Sequence, residues 1–156
     1  MADIIDQCWF SRPEGLPEHI CAGGIVVRYH NNSAYIAFVK EKAFSSCFLP
    51  KGKVEKGEST EAAAKREIGE ETGITELILM EYLGCFERMD YKKTSWKKIH
   101  YYLFSSTQKN AVPTDSNHEY ELKWFPCGKL PQILWPEQKK LIEENLFKII
   151  NGGIKK

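Results

Sequence analysis

The segment 52–74 constrains this chain more than any other stretch of its sequence. Ser59 suits the N-cap of a helix, the alanines at 62–64 have high helix propensity, and Gly73 stands where a glycine commonly ends a helix. We therefore predict a helix from Thr60 to Thr72.

This predicted helix carries an acidic face. Glu67, Glu70 and Glu71 fall at positions i, i+3 and i+4, so their carboxylates lie roughly 5 to 6 Å apart and repel one another. Arg66 can reach Glu70, which leaves an excess of negative charge at Glu67 and Glu71. A hard divalent cation such as Mg²⁺, which takes oxygen ligands, would neutralise this charge. A solvated acidic surface is the alternative.

The spacing of these residues resembles the Nudix box. A glycine is followed after five residues by a glutamate, after seven more by Arg-Glu and an aliphatic residue, and then by a Glu-Glu pair, a glycine and a second aliphatic residue. By chance, seven fixed identities at set spacing arise with a probability on the order of 10⁻⁹ per start position. The matching residues are Gly52, Glu58, Arg66, Glu67, Ile68, Glu70, Glu71, Gly73 and Ile74.

The resemblance implies a metal-dependent hydrolase and gives roles to the residues of the box. Arg66 matches a residue that orients the neighbouring carboxylates, and Glu67 matches a glutamate that either binds the metal or acts as the general base. Glu58 is expected to brace the loop before the helix. The expected ion is Mg²⁺, with Mn²⁺ as the alternative. The metal ligands that the resemblance implies are Gly52, through its carbonyl, and Glu67, Glu70 and Glu71.

A narrower resemblance covers residues 49–58. Their sequence, LPKGKVEKGE, is similar to the corresponding stretch of the diadenosine tetraphosphate hydrolases within the Nudix family. Lys51 and Lys53 flank Gly52, where their ammonium groups would neutralise the oxygens of a polyphosphate. The alternative is that both lysines are solvated loop residues.

The segment 88–98 combines five cations with two aromatic residues, Tyr91 and Trp96. Such a cluster would bind a phosphate chain and stack a base, although an exposed hairpin kept soluble by its lysines has the same composition. Tyr101 and Tyr102 follow in a strand and point to opposite faces, so only one of them can face the site. The candidate substrate contacts here are Arg88, Lys92, Lys93 and Tyr102.

The loop 111–121 is a second source of carboxylates. Nudix enzymes commonly place a further acidic residue in this region, as a metal ligand or as the base. Many tetraphosphate hydrolases have Glu-His where this chain has Asn-His-Glu at 117–119, so the order is shifted. Glu119 is therefore a candidate general base beside Glu67, and Glu121 is the alternative to Glu119.

The remaining pattern predicts strands, a helix, more strands and a closing helix, which favours an α/β/α sandwich with a mixed β-sheet. The Nudix resemblance implies the same fold. We predict a single domain over residues 1–156. Its other elements are a hairpin at 22–29 and 34–39, one or two strands at 77–86, strands at 99–104 and 122–125, a turn of helix at 130–134, and a C-terminal helix at about 136–151, which begins at a proline.

Composition excludes several classes of protein. The net charge of +1 lacks the basic excess of a duplex nucleic-acid binder. The five cysteines are odd in number and without a Cys-x-x-Cys pair, so they indicate neither a disulfide framework nor a zinc site. No stretch approaches the ~18 apolar residues of a membrane helix. We expect a cytoplasmic protein with a nucleotide or polyphosphate substrate and no membrane partner; the sequence does not distinguish a monomer from a homodimer.

The chemistry follows from charge. A pyrophosphate linkage repels an attacking water unless cations neutralise the phosphates and a base takes the proton. The leading hypothesis is hydrolysis of a nucleoside diphosphate linked to another moiety, preferentially a dinucleoside polyphosphate. The alternatives are a nucleoside triphosphate and a diphosphoinositol polyphosphate. A catalytically silent nucleotide sensor on the same scaffold is the alternative from another class.

Overall fold

The structure is a computed structural model that describes residues 5–152, and it forms three layers. A seven-stranded sheet in this part of the chain lies between α1 on one face and α2 with α3 on the other. The predicted α/β/α sandwich with a mixed β-sheet is therefore confirmed. After a 3-10 helix at Gln7–Phe10, the elements are β1 (Glu18–His30), β2 (Ser33–Glu41), β3 (Cys47–Phe48), β4 (Lys51–Lys53), α1 (Thr60–Thr72), β5 (Ile78–Met89), β6 (Trp96–Ser105), β7 (Tyr120–Pro126), α2 (Pro136–Glu144) and α3 (Leu146–Asn151).

The sheet is mixed because β1 runs parallel to β6 and antiparallel to its other partners. The main strand order is β3-β2-β1-β6-β5, with β4 paired to β1 and β7 paired to β2. The predicted hairpin of β1 and β2 turns at Asn31 and Asn32, whose φ angles of 50° and 63° suit the tight turns that connect antiparallel strands.

Helix α1 has the predicted boundaries. The Ser59 hydroxyl accepts a hydrogen bond from the Ala62 amide at 3.0 Å, and Gly73 ends the helix in the left-handed region at φ +84°. A Cβ at Gly73 would also lie 2.3 Å from the Val112 carbonyl oxygen, so only glycine fits there. Ala64, Ile68 and Ile74 are fully buried and pack in the core between α1 and the sheet.

Several other boundaries differ from the predictions. The C-terminal helix is two helices, because the chain leaves the helical conformation at Asn145, whose side chain donates to the Leu141 carbonyl at 2.8 Å. The segment 130–134 is not helical; Ile133 instead forms a bridge with Cys47. Strand β5 is a single strand with two bulges. Much of the charged segment 88–98 belongs to β5 and β6 rather than to a connection.

The structure also bears on the expected lack of disulfide bonds and of membrane helices. All five cysteines are free thiols. Between residues 5 and 152 there is no helix with the length and apolar character needed to cross a membrane.

Candidate functional site

The acidic residues of α1 face strand β4. A Cβ built on Gly52 would lie 2.0 Å from Cδ of Glu67 and 2.1 Å from its Oε1, so the Glu67 carboxylate occupies the space that any other residue at position 52 would fill. Glu71 is buried at 7% exposure and accepts a hydrogen bond from the Lys51 amide at 3.1 Å. Strand β4 and α1 therefore form one acidic pocket, which consists of Lys51, Gly52, Glu67, Glu70 and Glu71.

Arg66 holds the carboxylates of this pocket in place. Its Nη1 donates to Glu67 Oε2 at 2.9 Å and to Glu70 Oε2 at 3.2 Å, while Nε donates to Glu58 Oε2 at 2.8 Å. Glu58 in turn accepts from the Glu55 amide at 3.0 Å. The side-chain hydrogen bond from Arg66 lowers the pKa of Glu58 to about 2. The structure thus gives Arg66 the orienting position and Glu58 the bracing position that the Nudix resemblance implies.

Burial makes two of the carboxylates costly to ionise. Burial raises the pKa of Glu71 to about 8, a shift that the nearby Lys51 ammonium opposes and the Glu67 charge increases. The pKa of Glu67 is also raised by burial, and its hydrogen bond from Arg66 opposes that shift. An added cation would favour the charged form of both groups. Electrostatics at this pocket therefore favour cation binding.

The carboxylates of the acidic pocket are held by Arg66 rather than grouped around a cation. Within residues 5–152, no three His, Cys, Asp or Glu side chains are grouped so that they could hold a metal ion as they stand, and Arg66 takes an oxygen of both Glu67 and Glu70. The donor types nevertheless fit Mg²⁺ or Mn²⁺, which prefer carboxylate and carbonyl oxygens. The Glu67 carboxylate fills the space beside Gly52, so a carboxylate oxygen lies directly against the backbone of β4, which supports the same fit.

An aromatic cavity of about 140 Å³ adjoins the acidic pocket. Lys51 and Glu71 line it and belong to both. Burial raises the pKa of Tyr120, which also lines it, and the charge of Glu71 raises it further. The aromatic cavity is defined here by five aromatic side chains, Phe44, Phe48, Tyr91, Tyr120 and Trp135.

The predicted lysine contacts separate in the structure. Lys51 lines the aromatic cavity, where burial lowers the pKa of its ammonium group and the Arg88 charge lowers it further. Lys53 is exposed, and its carbonyl accepts from Arg66 at 2.9 Å. Lys92 is exposed, and the Lys93 ammonium lies 4.2 Å from the centroid of the Trp9 ring. The structure therefore brings only Lys51 of these four lysines to the cavity.

The two other candidate substrate contacts are both held by protein groups. Arg88 is buried: it is 1% exposed, its Nε donates to Glu137 Oε2 at 2.8 Å, and its guanidinium stacks on Trp135 at 3.3 Å from the ring centroid. It is also one of the residues that line the aromatic cavity. Tyr102 packs against α1, and its hydroxyl hydrogen-bonds that of Thr60 rather than lining the cavity. Tyr101 faces the opposite side of the sheet, as strand alternation predicts.

The loop carboxylates are placed differently from the sequence prediction. Glu119 is exposed and forms an ion pair with Lys42 at 3.9 Å, and Glu121 is likewise exposed. Asp115 is the loop residue that affects the acidic pocket, because its charge raises the pKa of Glu71. The amide of Asp115 donates to the Glu70 carbonyl at 3.0 Å, which ties the loop to α1. Sequence reasoning missed Asp115, although its position in an Asp-Ser-Asn turn was visible.

The chain is similar in sequence and in fold to known proteins of one family. The NUDIX domain family matches residues 18–144. A putative 8-oxo-dGTP diphosphatase from Bacillus subtilis (strain 168) is 34% identical over 121 residues, covering 78% of this chain and 77% of that protein. An RNA pyrophosphohydrolase from Brucella abortus (strain 2308) is 26% identical over 159 residues, covering 85% and 87%. A C. elegans Ap4A hydrolase in a binary complex has a similar fold, with a TM-score of 0.69 and 21% identity over 83% of this chain and 96% of its own.

Proposed function

The chain belongs to the NUDIX family and is a pyrophosphohydrolase, and we propose that it hydrolyses a nucleoside triphosphate whose base occupies the aromatic cavity. The phosphate chain would then extend past Lys51 to the acidic face of α1. The names of two relatives, putative 8-oxo-dGTP diphosphatase and RNA pyrophosphohydrolase, support a nucleotide substrate.

One observation carries the proposal. Lys51 and Glu71 line the aromatic cavity, and Glu71 also belongs to the acidic pocket. A base in the cavity and a cation in the acidic pocket would therefore lie on either side of the same residue, Glu71. The cavity measures about 140 Å³. Because an apolar cavity of about 150 Å³ holds one benzene molecule, this cavity of similar volume, which is partly open to solvent, has room for one base at most and not for two stacked nucleosides.

The chain supplies the groups that a water attack on phosphorus needs. Gly52, Glu67, Glu70 and Glu71 would hold Mg²⁺, with Mn²⁺ as the alternative, and the bound ion would neutralise phosphate charge and lower the pKa of a water molecule. Arg66 keeps Glu67 and Glu70 oriented. The Lys51 ammonium, which lies near the Glu71 carboxylate and lines the cavity, would bind phosphate oxygens there.

The general base is proposed to be Glu67 or Asp115. Glu67 lies against Gly52 and has a raised pKa, which suits a group that must take a proton. Asp115 replaces Glu119 as the loop candidate, because the Glu119 side chain is 76% exposed, whereas that of Asp115 is 18% exposed and the Asp115 amide donates to the Glu70 carbonyl of α1 at 3.0 Å.

A dinucleoside polyphosphate is the second candidate substrate. The loop 49–58 resembles that of the diadenosine tetraphosphate hydrolases, and the open side of the cavity leaves room for a second nucleoside outside it. A diphosphoinositol polyphosphate has less support, because it would leave the aromatic side chains of the cavity without a role. A silent sensor has less support still, since every position of the box is present.

Two further proposals concern the whole chain. Both helical layers pack on one sheet, which supports the proposal of a single domain over residues 1–156. The five free thiols support a reducing location such as the cytoplasm.

The experiment is a comparison of initial rates for the purified protein with Mg²⁺. Nucleoside triphosphates, diadenosine tetraphosphate and a diphosphoinositol polyphosphate are tested at equal concentrations. We expect the highest kcat/KM for a nucleoside triphosphate. A higher value for diadenosine tetraphosphate would select the second candidate, and hydrolysis of the inositol compound alone would contradict a base-binding cavity.

A further inference from the structure

We propose that Trp9 is a positioning residue of the nucleotide site: it holds Tyr91 where the ring of that tyrosine can stack on a base in the aromatic cavity. The inference rests on the proposed function, since it assumes that a base enters this cavity. It gives a role to the 3-10 helix at Gln7–Phe10, which lies before residues 18–144, the part of the chain that matches the NUDIX family.

The first observation concerns the exposure of Tyr91. This residue lines the aromatic cavity from the turn between β5 and β6, and at 40% exposure it is the most exposed of the five aromatic side chains that define the cavity. An exposed side chain on a turn has several staggered rotamers open to it, and fixing it when a ligand binds costs free energy. Contacts that hold the ring before the ligand arrives therefore increase affinity.

The second observation is that Asp90 fixes the backbone of this turn. Its carboxylate accepts hydrogen bonds from the amides of Thr94 at 2.6 Å and Ser95 at 2.9 Å, and its carbonyl accepts from the Lys93 amide at 3.0 Å. These bonds determine where the backbone of Tyr91 lies, but they do not determine the direction of its side chain. The orientation of the Tyr91 ring therefore depends on the groups that contact it.

The third observation is that Trp9 contacts Tyr91 with both its ring and its indole nitrogen. The two ring centroids are 6.4 Å apart with their planes at 30°, and Nε1 of Trp9 donates to the Tyr91 carbonyl at 3.3 Å. Phe44 and Trp135, which line the cavity, meet the Tyr91 ring edge-on at centroid distances of 5.0 and 6.4 Å. Trp9 does not line the cavity, so its effect on a ligand passes through Tyr91, the lining residue that it contacts.

Trp9 is itself held in place. The Lys93 ammonium lies over the Trp9 ring in a cation–π contact, 4.2 Å from its centroid. The Asp6 carboxylate caps the 3-10 helix by accepting from the Cys8 amide at 2.9 Å, and the Asp6 carbonyl accepts from the Trp9 amide at 3.3 Å. Trp9 and Tyr91 are 82 positions apart in the sequence, and their contact fixes the N-terminal helix to the turn that carries the cavity ring.

A double-mutant cycle on binding tests this coupling. Dissociation constants of AMP and GMP, which have no pyrophosphate bond to cleave, are measured by isothermal titration calorimetry in EDTA for the full-length wild type, Trp9→Ala, Tyr91→Ala and the double variant. We expect Tyr91→Ala to weaken binding at least about fivefold and Trp9→Ala to weaken it about 3- to 10-fold. The double variant should bind within about twofold of Tyr91→Ala, because Trp9 has no ring left to position.

Controls separate positioning from a general loss of structure. Gln7→Ala, an exposed change on the same 3-10 helix, is the matched control and should bind both monophosphates as the wild type does. Urea denaturation establishes that each variant folds. If Trp9→Ala does not fold, Trp9→Phe takes its place in the cycle, since it removes the indole donor and reduces the ring contact while keeping an aromatic side chain.

The outcomes separate the inference from the proposed function. Wild-type affinity in Trp9→Ala, together with weakened binding in Tyr91→Ala, would overturn the inference and leave the base in the cavity. Additive losses in the double variant would also overturn it, because they would show an effect of Trp9 that does not pass through Tyr91. Unchanged binding in Tyr91→Ala, or no binding of either monophosphate by the wild type, would contradict the proposed function itself.

Discussion

At the scale of single residues, the absence of a side chain at Gly52 makes room for the Glu67 carboxylate. A Cβ there would lie 2.0 to 2.5 Å from three atoms of that carboxyl group, closer than atoms in real structures approach. The φ angle of Gly52 is not positive, so the restriction comes from space and not from backbone conformation. Glycine is therefore required by the carboxylate that the box places opposite it.

Gly52→Ala tests this relation. We expect kcat/KM to fall about a hundredfold, because the added methyl group displaces Glu67 by an ångström or more, while the free energy of unfolding falls by about 1 to 3 kcal/mol. Steady-state kinetics and urea denaturation measure the two effects. Gly128→Ala is the control, since a Cβ at Gly128 meets no atom within 4 Å. Equal kcat/KM values for both variants would contradict a role for the position of the Glu67 carboxylate in activity.

Two arginines show which residue contacts a sequence can predict. Arg66 pairs with carboxylates at most 11 residues away, on its own helix or the loop before it, so helical spacing predicts its contact with Glu70. Arg88 pairs with Glu137, 49 residues along the chain, and no local pattern connects them. The composition of the segment 88–98 therefore gives no sign that Arg88 is buried, although the fold buries it.

At the scale of elements, α2 supports the short β3–β4 connection that leads into Lys51 and Gly52. Gln138 Oε1 accepts from the Leu49 amide at 2.8 Å, and Gln138 Nε2 donates to the Tyr101 hydroxyl at 3.1 Å. Leu49 lies just before Lys51 and Gly52. The first turn of α2 thus fixes the backbone that presents these two residues to substrate and metal.

Gln138→Met tests this support. The substitution keeps the length of the side chain but leaves a buried amide without an acceptor, so we expect the free energy of unfolding to fall by about 1 to 3 kcal/mol. We also expect kcat to fall, because β4, the strand of Lys51 and Gly52, loses the anchor that Leu49 provides just before it. Lys139→Met, an exposed change on the same helix, is the control. A wild-type urea midpoint for Gln138→Met would contradict the supporting role.

Element boundaries were predictable where local chemistry sets them. The cap at Ser59 and the left-handed residue at Gly73 define α1, and the Asn-Asn turn defines the first hairpin. The break between α2 and α3 was not predictable, because apolar residues continue at helical spacing across Asn145. A pair of glycines at 152–153 follows α3, and Gly153 lies outside the described residues.

At the scale of the whole molecule, topology brings the two halves of the site together. The acidic pocket is local, since β4 and α1 are close in sequence, and the sequence predicted it. The residues of the aromatic cavity lie far apart in the sequence, from Glu41 to Trp135. They come from six elements, β2, β3, β4, α1, β5 and β7, and from the β2–β3 connection, the β5–β6 turn and the segment before α2. Such a cavity depends on strand order, which periodicity does not give. Function class was thus predictable, whereas most residues that line the aromatic cavity were not; Lys51, Arg88 and Tyr91 are the exceptions.

The central claim is that Glu71 and its neighbours bind a divalent cation, and thermal unfolding with and without Mg²⁺ tests it most directly. Binding to the folded state at a hundred times Kd adds about 2.7 kcal/mol, so the wild-type Tm should rise by roughly 5 to 10 °C. Glu71→Gln, whose side chain can still accept from the Lys51 amide, should show no rise and should lose at least about a hundredfold in kcat/KM. The control Glu61→Gln, on the same helix and paired with Lys65, should behave as the wild type. An equal Mg²⁺-dependent rise in Glu71→Gln and in the wild type would contradict the claim.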